Sequence, residues 1–184
     1  MDPGESSYRR FLDGDNEGLH EIIREYHYGL MLYLNSYVGN VHVAEDLTED
    51  TFAELAVRKP RFHGRCRFKT WLYAIGRNIT CKYIRKDARN RSIPLSSAED
   101  IASEENIEAA YLRDERSQML HRAMKTLRTE YRQVLMLSFF EELSNEEVAM
   151  VMKRSKRQIE NLLYNAKKAL RAELERSGFS YEEQ

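Results

Sequence analysis

The 184-residue sequence predicts an all-α protein: two small helical domains joined by an acidic, flexible linker. Three observations carry that prediction. Apolar residues recur at three- and four-residue steps along most of the chain, the spacing of one helix face. Gly and Pro are scarce, at 8 and 3, so few positions interrupt a helix. Between these helical stretches the composition shifts over residues 92–106, SIPLSSAEDIASEEN, which is acidic, rich in Ser and Ala, and carries Pro94.

The first helix is expected over Asn16–Val38, where Leu19, Ile22, Ile23, Tyr26, Leu30, Tyr33, Leu34 and Tyr37 form one stripe. Gly39-Asn40 is its stop signal. A second helix is expected over His42–Lys59, with Val43, Leu47, Phe52 and Leu55 inward and Pro60 behind it. The basic loop PRFHGRCR follows at 60–67. A third helix starts near Phe68, with Phe68, Leu72, Ile75 and Ile79 repeating at four- and three-residue steps. These elements make one domain, residues 8–91. After the linker, Ile107–Leu127 predicts a helix burying Met119, Leu120, Ala123, Met124 and Leu127. Thr129 is the expected cap of the next helix, which carries Tyr131, Val134, Leu135 and Phe139. Ser144-x-x-Glu147 and Ser155-x-x-Gln158 are two capping-box patterns.

Net charge is only −1, but the charge is segmental. Residues 61–91 hold ten Lys or Arg against Asp87, and residues 153–171 hold seven against Glu160. Residues 41–57 hold five acids and no Lys or Arg, and residues 95–116 are net acidic. Two basic segments separated by acidic ones imply two contacts with a polyanion and another partner for the acidic surface. No apolar run approaches the ~18 residues of a membrane span. The start MDPGESSYRR has no apolar core of a signal peptide, so a cytoplasmic protein is expected. Cys66 and Cys81 are too few for a disulfide framework.

Two capped helices whose starts lie eleven residues apart fit a helix-turn-helix. Val148, Val151 and Met152 would pack on Ile159, Leu162 and Leu163, with small Ala149 at the crossing. The outward residues of the second helix are suited to phosphates and base edges; a helical hairpin with a solvated basic face fits the same pattern. In Arg61–Lys86 aromatics alternate with cations, a composition that suits single-stranded nucleic acid. The plainer reading is a core helix with a basic outer face, with Trp71, Leu72, Ile75 and Ile79 inside. Glu17-x-x-His20 has di-iron spacing but lacks a second pair. Without a Walker loop, nucleophile elbow or paired His motif, no catalytic residue, metal or cofactor is expected.

Three stretches carry a family resemblance. They are AEDLTEDTFAEL (Ala44–Leu55), FKTWLYAIGRN (Phe68–Asn78) followed by KYIRKDAR, and LRTEYRQVLMLSFFEELSNEEVA (Leu127–Ala149). In order, and around this linker, they resemble a bacterial extracytoplasmic-function (group 4) RNA polymerase sigma factor, from about Tyr8 to Leu174. The resemblance implies sigma domain 2 over 8–91, a linker over 92–106 and sigma domain 4 over 107–176. The partners it implies are core RNA polymerase, promoter DNA and, in many members, an anti-sigma factor. Core polymerase would be bound by Asp46, Leu47, Glu49 and Asp50. The opened minus-ten element would be held by Arg61, His63, Arg65, Arg67, Lys69, Arg77, Asn78, Lys82, Arg85 and Lys86. The duplex minus-thirty-five element would be met by Lys153, Arg154, Lys156, Arg157, Glu160, Asn161, Tyr164, Asn165 and Lys168. Such a protein is cytoplasmic and nucleoid-associated, or sequestered at the membrane by its anti-sigma factor, and it leaves the chemistry to the polymerase. A stand-alone helix-turn-helix regulator, or a degenerate relative that binds polymerase or an anti-sigma factor without reading DNA, are the alternatives. The sequence departs from the family at Lys153, where Gly is usual, so a differently shaped turn is expected. It departs again at Glu160, Asn161 and Leu162, where Lys-Ser-Arg is common.

Overall fold

The computed structural model describes residues 2–91 and 115–178. These residues form eight α-helices and a π-helical turn, with no strand among them.

Helix α1, Pro3–Leu12, precedes the first helix expected. Its signal is the Asp2-Pro3 pair. The Asp2 carboxylate accepts from the Gly4 N–H at 3.0 Å, and Pro3 sits in the first turn, where its missing N–H costs nothing. The other carboxylate oxygen accepts from the Phe68 N–H at 2.7 Å, so one side chain serves the starts of two helices.

Helix α2, Glu17–Val38, ends on Gly39 in the left-handed region (φ 64°). Helix α3, Val41–Arg58, opens with the Asn40 side chain accepting from the Val43 N–H at 3.1 Å. Lys59 turns left-handed (φ 44°) ahead of Pro60. Helix α4, Phe68–Arg91, completes the first half. Tyr8, Phe62, Phe68 and Trp71 pack ring against ring with centroids 5.2–5.7 Å apart. The Tyr8 hydroxyl donates to the Pro60 carbonyl at 2.7 Å. Each such aromatic pair contributes about 0.5–1.5 kcal/mol beyond its buried area. Together they anchor the 59–67 loop. The plainer reading of the aromatic–basic stretch therefore holds for these rings, which stack on one another.

Helix α5, Glu115–Thr126, is the described part of the helix expected from Ile107; the linker expected at 92–106 lies outside the described residues. Ala123, Met124 and Leu127 are buried, while Met119 and Leu120 are half-buried. Thr129 is not a cap: α6, Thr129–Leu135, starts on it, and Arg128 in the cap position makes no side-chain hydrogen bond. The π-helical turn Met136–Phe140 follows. A π turn fits one extra residue into the helical circuit and so rotates everything after it. Leu137 is thereby fully buried and Phe139, expected inside, is 55 % exposed. Helices α7, Asn145–Met152, and α8, Lys156–Arg176, both open with complete capping boxes, Ser144–Glu147 and Ser155–Gln158.

The two halves pack against each other in this structure. α2 packs against α6 and the π turn, and α4 packs against α7. One apolar core runs from Tyr8 and Leu30 through Tyr73 to Leu137, Val151 and Ile159.

Candidate polymerase and nucleic-acid interfaces

Helix α3 presents the acidic face. Asp46, Glu49 and Asp50 are exposed. Leu47, expected beside them as a contact, is only 3 % exposed and belongs to the core. The reason is period: 44, 47, 48, 51, 52 and 55 share the inward stripe. Thr48 and Thr51 are buried on that stripe without cost, because each hydroxyl donates to a carbonyl one turn back, at 2.7 and 2.8 Å. Beside the acids lies a shallow groove of about 320 Å³ lined by Asp50, Ala53, Glu54, Val57, Arg58 and Ile79. Val57 is 81 % exposed. The expected stripe did not include Ala53 or Val57; their signal was apolar residues off the core period beside acids.

The residues expected to hold the minus-ten element divide into four sets. Arg61, His63 and Arg65 are exposed on the anchored loop. Lys82, Arg85 and Lys86 are exposed toward the end of α4, about 20 to 25 Å along the helix from Lys69. Arg77 and Asn78 are half-buried between these sets. Arg77 lies by Tyr33 and Tyr37, whose hydroxyls share a 2.8 Å hydrogen bond and are both pushed up, chiefly by burial.

Arg67 and Lys69 are held by the second half of the chain. The Arg67 guanidinium makes a two-pronged pair with Glu147, Nε to Oε1 and Nη2 to Oε2, both at 2.5 Å. Its Nη2 also donates to the Glu142 carbonyl at 3.1 Å. The Thr70 hydroxyl donates to Glu147 Oε1 at 2.9 Å, and the Ser144 N–H donates to Oε2 at 2.9 Å. With Arg67 foremost, these donors hold the Glu147 carboxyl down from 4.5 to about 2, against the opposing effect of burial. Two residues on, in the first turn of α4, Lys69 Nζ lies 2.7 Å from Glu141 Oε2 and donates to the Glu141 carbonyl at 3.0 Å. The Tyr73 hydroxyl donates to the same Oε2 at 2.6 Å. Burial, with Glu141 beside it, pushes the Tyr73 phenol well up. The Glu141 side chain is 9 % exposed and fits where α2 has Gly29. A Cβ at 29 would collide with the Glu141 carboxylate and lie 2.6 Å from the Tyr73 hydroxyl. Sequence reasoning missed Gly29, Tyr73, Glu141 and the second role of Glu147, because nothing local links residues so far apart in the chain.

The helix-turn-helix forms. Val148, Ala149, Val151, Met152 and Ile159 are buried at the crossing, with Leu162 and Leu163 half-buried. The turn is not reshaped by the missing Gly: Lys153 itself adopts the left-handed conformation (φ 54°, ψ 50°). The Arg154 N–H then reaches the Ala149 carbonyl at 3.0 Å, closing the end of α7. Arg154 pairs with Glu130 and Lys156 with Glu146. Arg157, Glu160, Asn161, Tyr164, Asn165 and Lys168 are all exposed along α8. Glu17 and His20 make a solvent-exposed pair at 3.4 Å. No cluster that could hold a metal ion occurs among the described residues, and no helix among them is long and apolar enough to cross a membrane.

Comparison with known proteins gives two family matches in order along the chain. Residues 22–90 match sigma-70 region 2 and residues 117–170 match sigma-70, region 4. The chain is 25 % identical over 163 residues to RNA polymerase sigma factor YlaC of Bacillus subtilis, covering 88 % of this chain and 94 % of the relative. It is 26 % identical over 170 residues to the ECF RNA polymerase sigma factor SigW of the same organism, covering 88 % and 91 %. Among solved structures it shares the fold of the sigma factor RpoE in complex with the anti-sigma factor NepR from Bartonella quintana. That match has a TM-score of 0.61 at 21 % identity, over 84 % of this chain and 97 % of the other.

Proposed function

The chain belongs to the extracytoplasmic-function group of the sigma-70 family, and we propose how its charged faces divide the work of that family. It binds core RNA polymerase and directs promoter recognition and transcription initiation. Asp46, Glu49 and Asp50 contact the polymerase, with Val57 and the adjoining groove as the apolar part of the same surface. An acidic face with an exposed Val at its rim suits a partner surface that is basic and partly apolar.

The loop cations Arg61, Arg65 and Arg67, with His63, and the α4 cations Lys69, Lys82, Arg85 and Lys86 follow the backbone of the opened minus-ten strand. Arg77 and Asn78, half-buried, support that face. The spread of about 25 Å along α4 spans several nucleotides of single strand. Helix α8 enters the major groove at minus-thirty-five. Lys153, Arg154, Lys156, Arg157 and Lys168 neutralise phosphates, and Glu160, Asn161, Tyr164 and Asn165 meet base edges. The chain is no enzyme in this reading, acts in the cytoplasm at the nucleoid, and has an anti-sigma factor as a partner, as the Bartonella neighbour does.

The observation that carries the reading is the order of three exposed charged faces within the two matched regions. The test is run-off transcription with purified core polymerase. Lys at positions 46, 49 and 50 together should abolish association with core while leaving the helical circular dichroism intact. Undiminished association of that triple variant would remove the polymerase assignment from the α3 face.

A further inference from the structure

We propose that α1 is the positioning element of the 59–67 loop, and that Asp2 and Tyr8 set how that loop reads the minus-ten strand without touching DNA themselves. This rests on the assignment of Arg61, His63 and Arg65 to that strand. The loop has no regular structure, and those three side chains are exposed on it. Such a loop binds weakly unless its geometry is set beforehand, because the free energy of ordering it is subtracted from every binding event. α1 holds the loop at both ends. At its start, Lys59 Nζ lies 4.8 Å over the Phe11 ring, and the Tyr8 hydroxyl donates to the Pro60 carbonyl at 2.7 Å. At its end, the Asp2 carboxylate accepts from the Phe68 N–H at 2.7 Å. Between them, Phe62 packs on Phe68 and Trp71, the two rings that Tyr8 also meets.

The division of the Asp2 carboxylate is the central observation. One oxygen caps α1, and the other is committed to the first turn of α4. Arg67, which precedes Phe68, has a side chain that only donates, so α4 cannot cap itself from that position and takes its acceptor from α1. Gly4 lets the two helices come this close. A Cβ there would lie 2.5 Å from Phe68 Cδ1 and 2.6 Å from the Tyr26 hydroxyl. At the other end of the loop Lys59 holds φ 44°, a left-handed conformation unfavourable for a non-Gly residue. Such a conformation persists where its surroundings over-determine it, and Phe11 and Tyr8 are among those surroundings. Tyr8 is 1 % exposed and Asp2 is an acid, so neither is suited to contact a phosphate strand. They act through the loop: a shift of α1 moves both loop ends, and with them the spacing of Arg61, His63 and Arg65.

The test uses Asp2→Ser and Tyr8→Phe, singly and together, in the full chain bound to core polymerase. Ser caps α1 as well as Asp does, but its single oxygen is taken up locally, so the Phe68 N–H loses its acceptor. Tyr8→Phe keeps the ring contacts and removes only the bond to Pro60. Affinity of the holoenzyme for a fork template with a single-stranded minus-ten element is measured by fluorescence anisotropy, and base preference by selection from a minus-ten library. The double variant should bind the fork about tenfold more weakly, the order of one charge-assisted hydrogen bond, and its minus-ten preference should relax. Association with core and binding of duplex minus-thirty-five DNA should be unchanged. If the double variant does not fold, the single variants decide the matter by the same measurements. A purely structural role would lower the urea midpoint and leave fork affinity and minus-ten preference as in the wild type, and that result would overturn the proposal. Arg61→Ala, His63→Ala and Arg65→Ala together are the control for the underlying assignment. If they weaken fork binding and the α1 variants do not, the loop assignment stands and the positioning role fails. If they leave fork binding unchanged, the loop assignment fails and takes the positioning role with it.

Discussion

Glu147 carries two functions on one carboxylate. As the third residue of α7 it completes the capping box with Ser144, and it is also the acceptor for Arg67 and Thr70 of the other half. The first role was visible in the spacing Ser-x-x-Glu. The second was not, because 80 residues separate the partners and no local pattern encodes that pairing. Lys153 shows the opposite case. Its side chain belongs to the proposed phosphate contacts, while its backbone takes the left-handed turn where Gly is easiest. A non-Gly residue there costs roughly 1–2 kcal/mol. Gly would lose about 0.4–1 kcal/mol of that through its freer unfolded chain. Lys153→Gly should therefore stabilise the protein by about 0.5–1 kcal/mol, seen as a higher urea midpoint with unchanged slope. An unchanged or lower midpoint would mean that the turn is not strained.

The two basic elements differ in how their cations are spent. Along α8, Arg157 makes no ion pair among the described residues and Asn161 is exposed, so both are available to DNA. They should have separable effects. Arg157→Ala should weaken minus-thirty-five binding for every sequence and flatten the log–log salt dependence by roughly one unit. Asn161→Ala should leave the salt slope in place and relax base preference by roughly 1–3 kcal/mol. Selection from a promoter library with each variant distinguishes the two, and an unaltered preference in Asn161→Ala would move base reading elsewhere on α8. The π turn is the element that sequence periodicity could not anticipate. Val134 and Leu135 follow the expected stripe, and five residues of wider helix then turn Phe139 out, where Lys167 lies 5.0 Å over its ring. A 3.6-residue period projected across such a turn misplaces every residue beyond it.

For the molecule as a whole the question is what holds the halves together. Glu147 makes that question dependent on pH. Its carboxyl sits at about 2 with the halves packed together, against an ordinary 4.5. The groups facing it are the Arg67 guanidinium, the Thr70 hydroxyl and the Ser144 N–H, with Asp2 near Arg67 and Cys66 near both carboxylates. A lowered pKa means that the contribution is complete above about 4.5 and is lost as the pH falls through about 2. The packing of the two halves should thus be indifferent to pH between about 5 and 8 and loosen in the window below about 4.5. Scattering from Glu147→Gln is the control for other acids: its dimensions should lack the component of the transition that Glu147 supplies. Identical curves for the two proteins would show that this carboxylate does not hold the halves together.

The helical class, most helix limits, both capping boxes, the helix-turn-helix and the segmental charge were legible in the sequence. Each is set by neighbours within about one turn: side-chain period, a cap three residues from its partner, a Gly or Pro at a helix end. Only the tertiary structure decided that Phe139 is turned out, that the aromatics of the basic stretch stack on Tyr8, and that Arg67 and Lys69 face carboxylates. Those outcomes depend on which distant faces meet. A charge pattern says that a cation seeks an anion, and only the packing of α4 against α7 says that the anion is the chain's own.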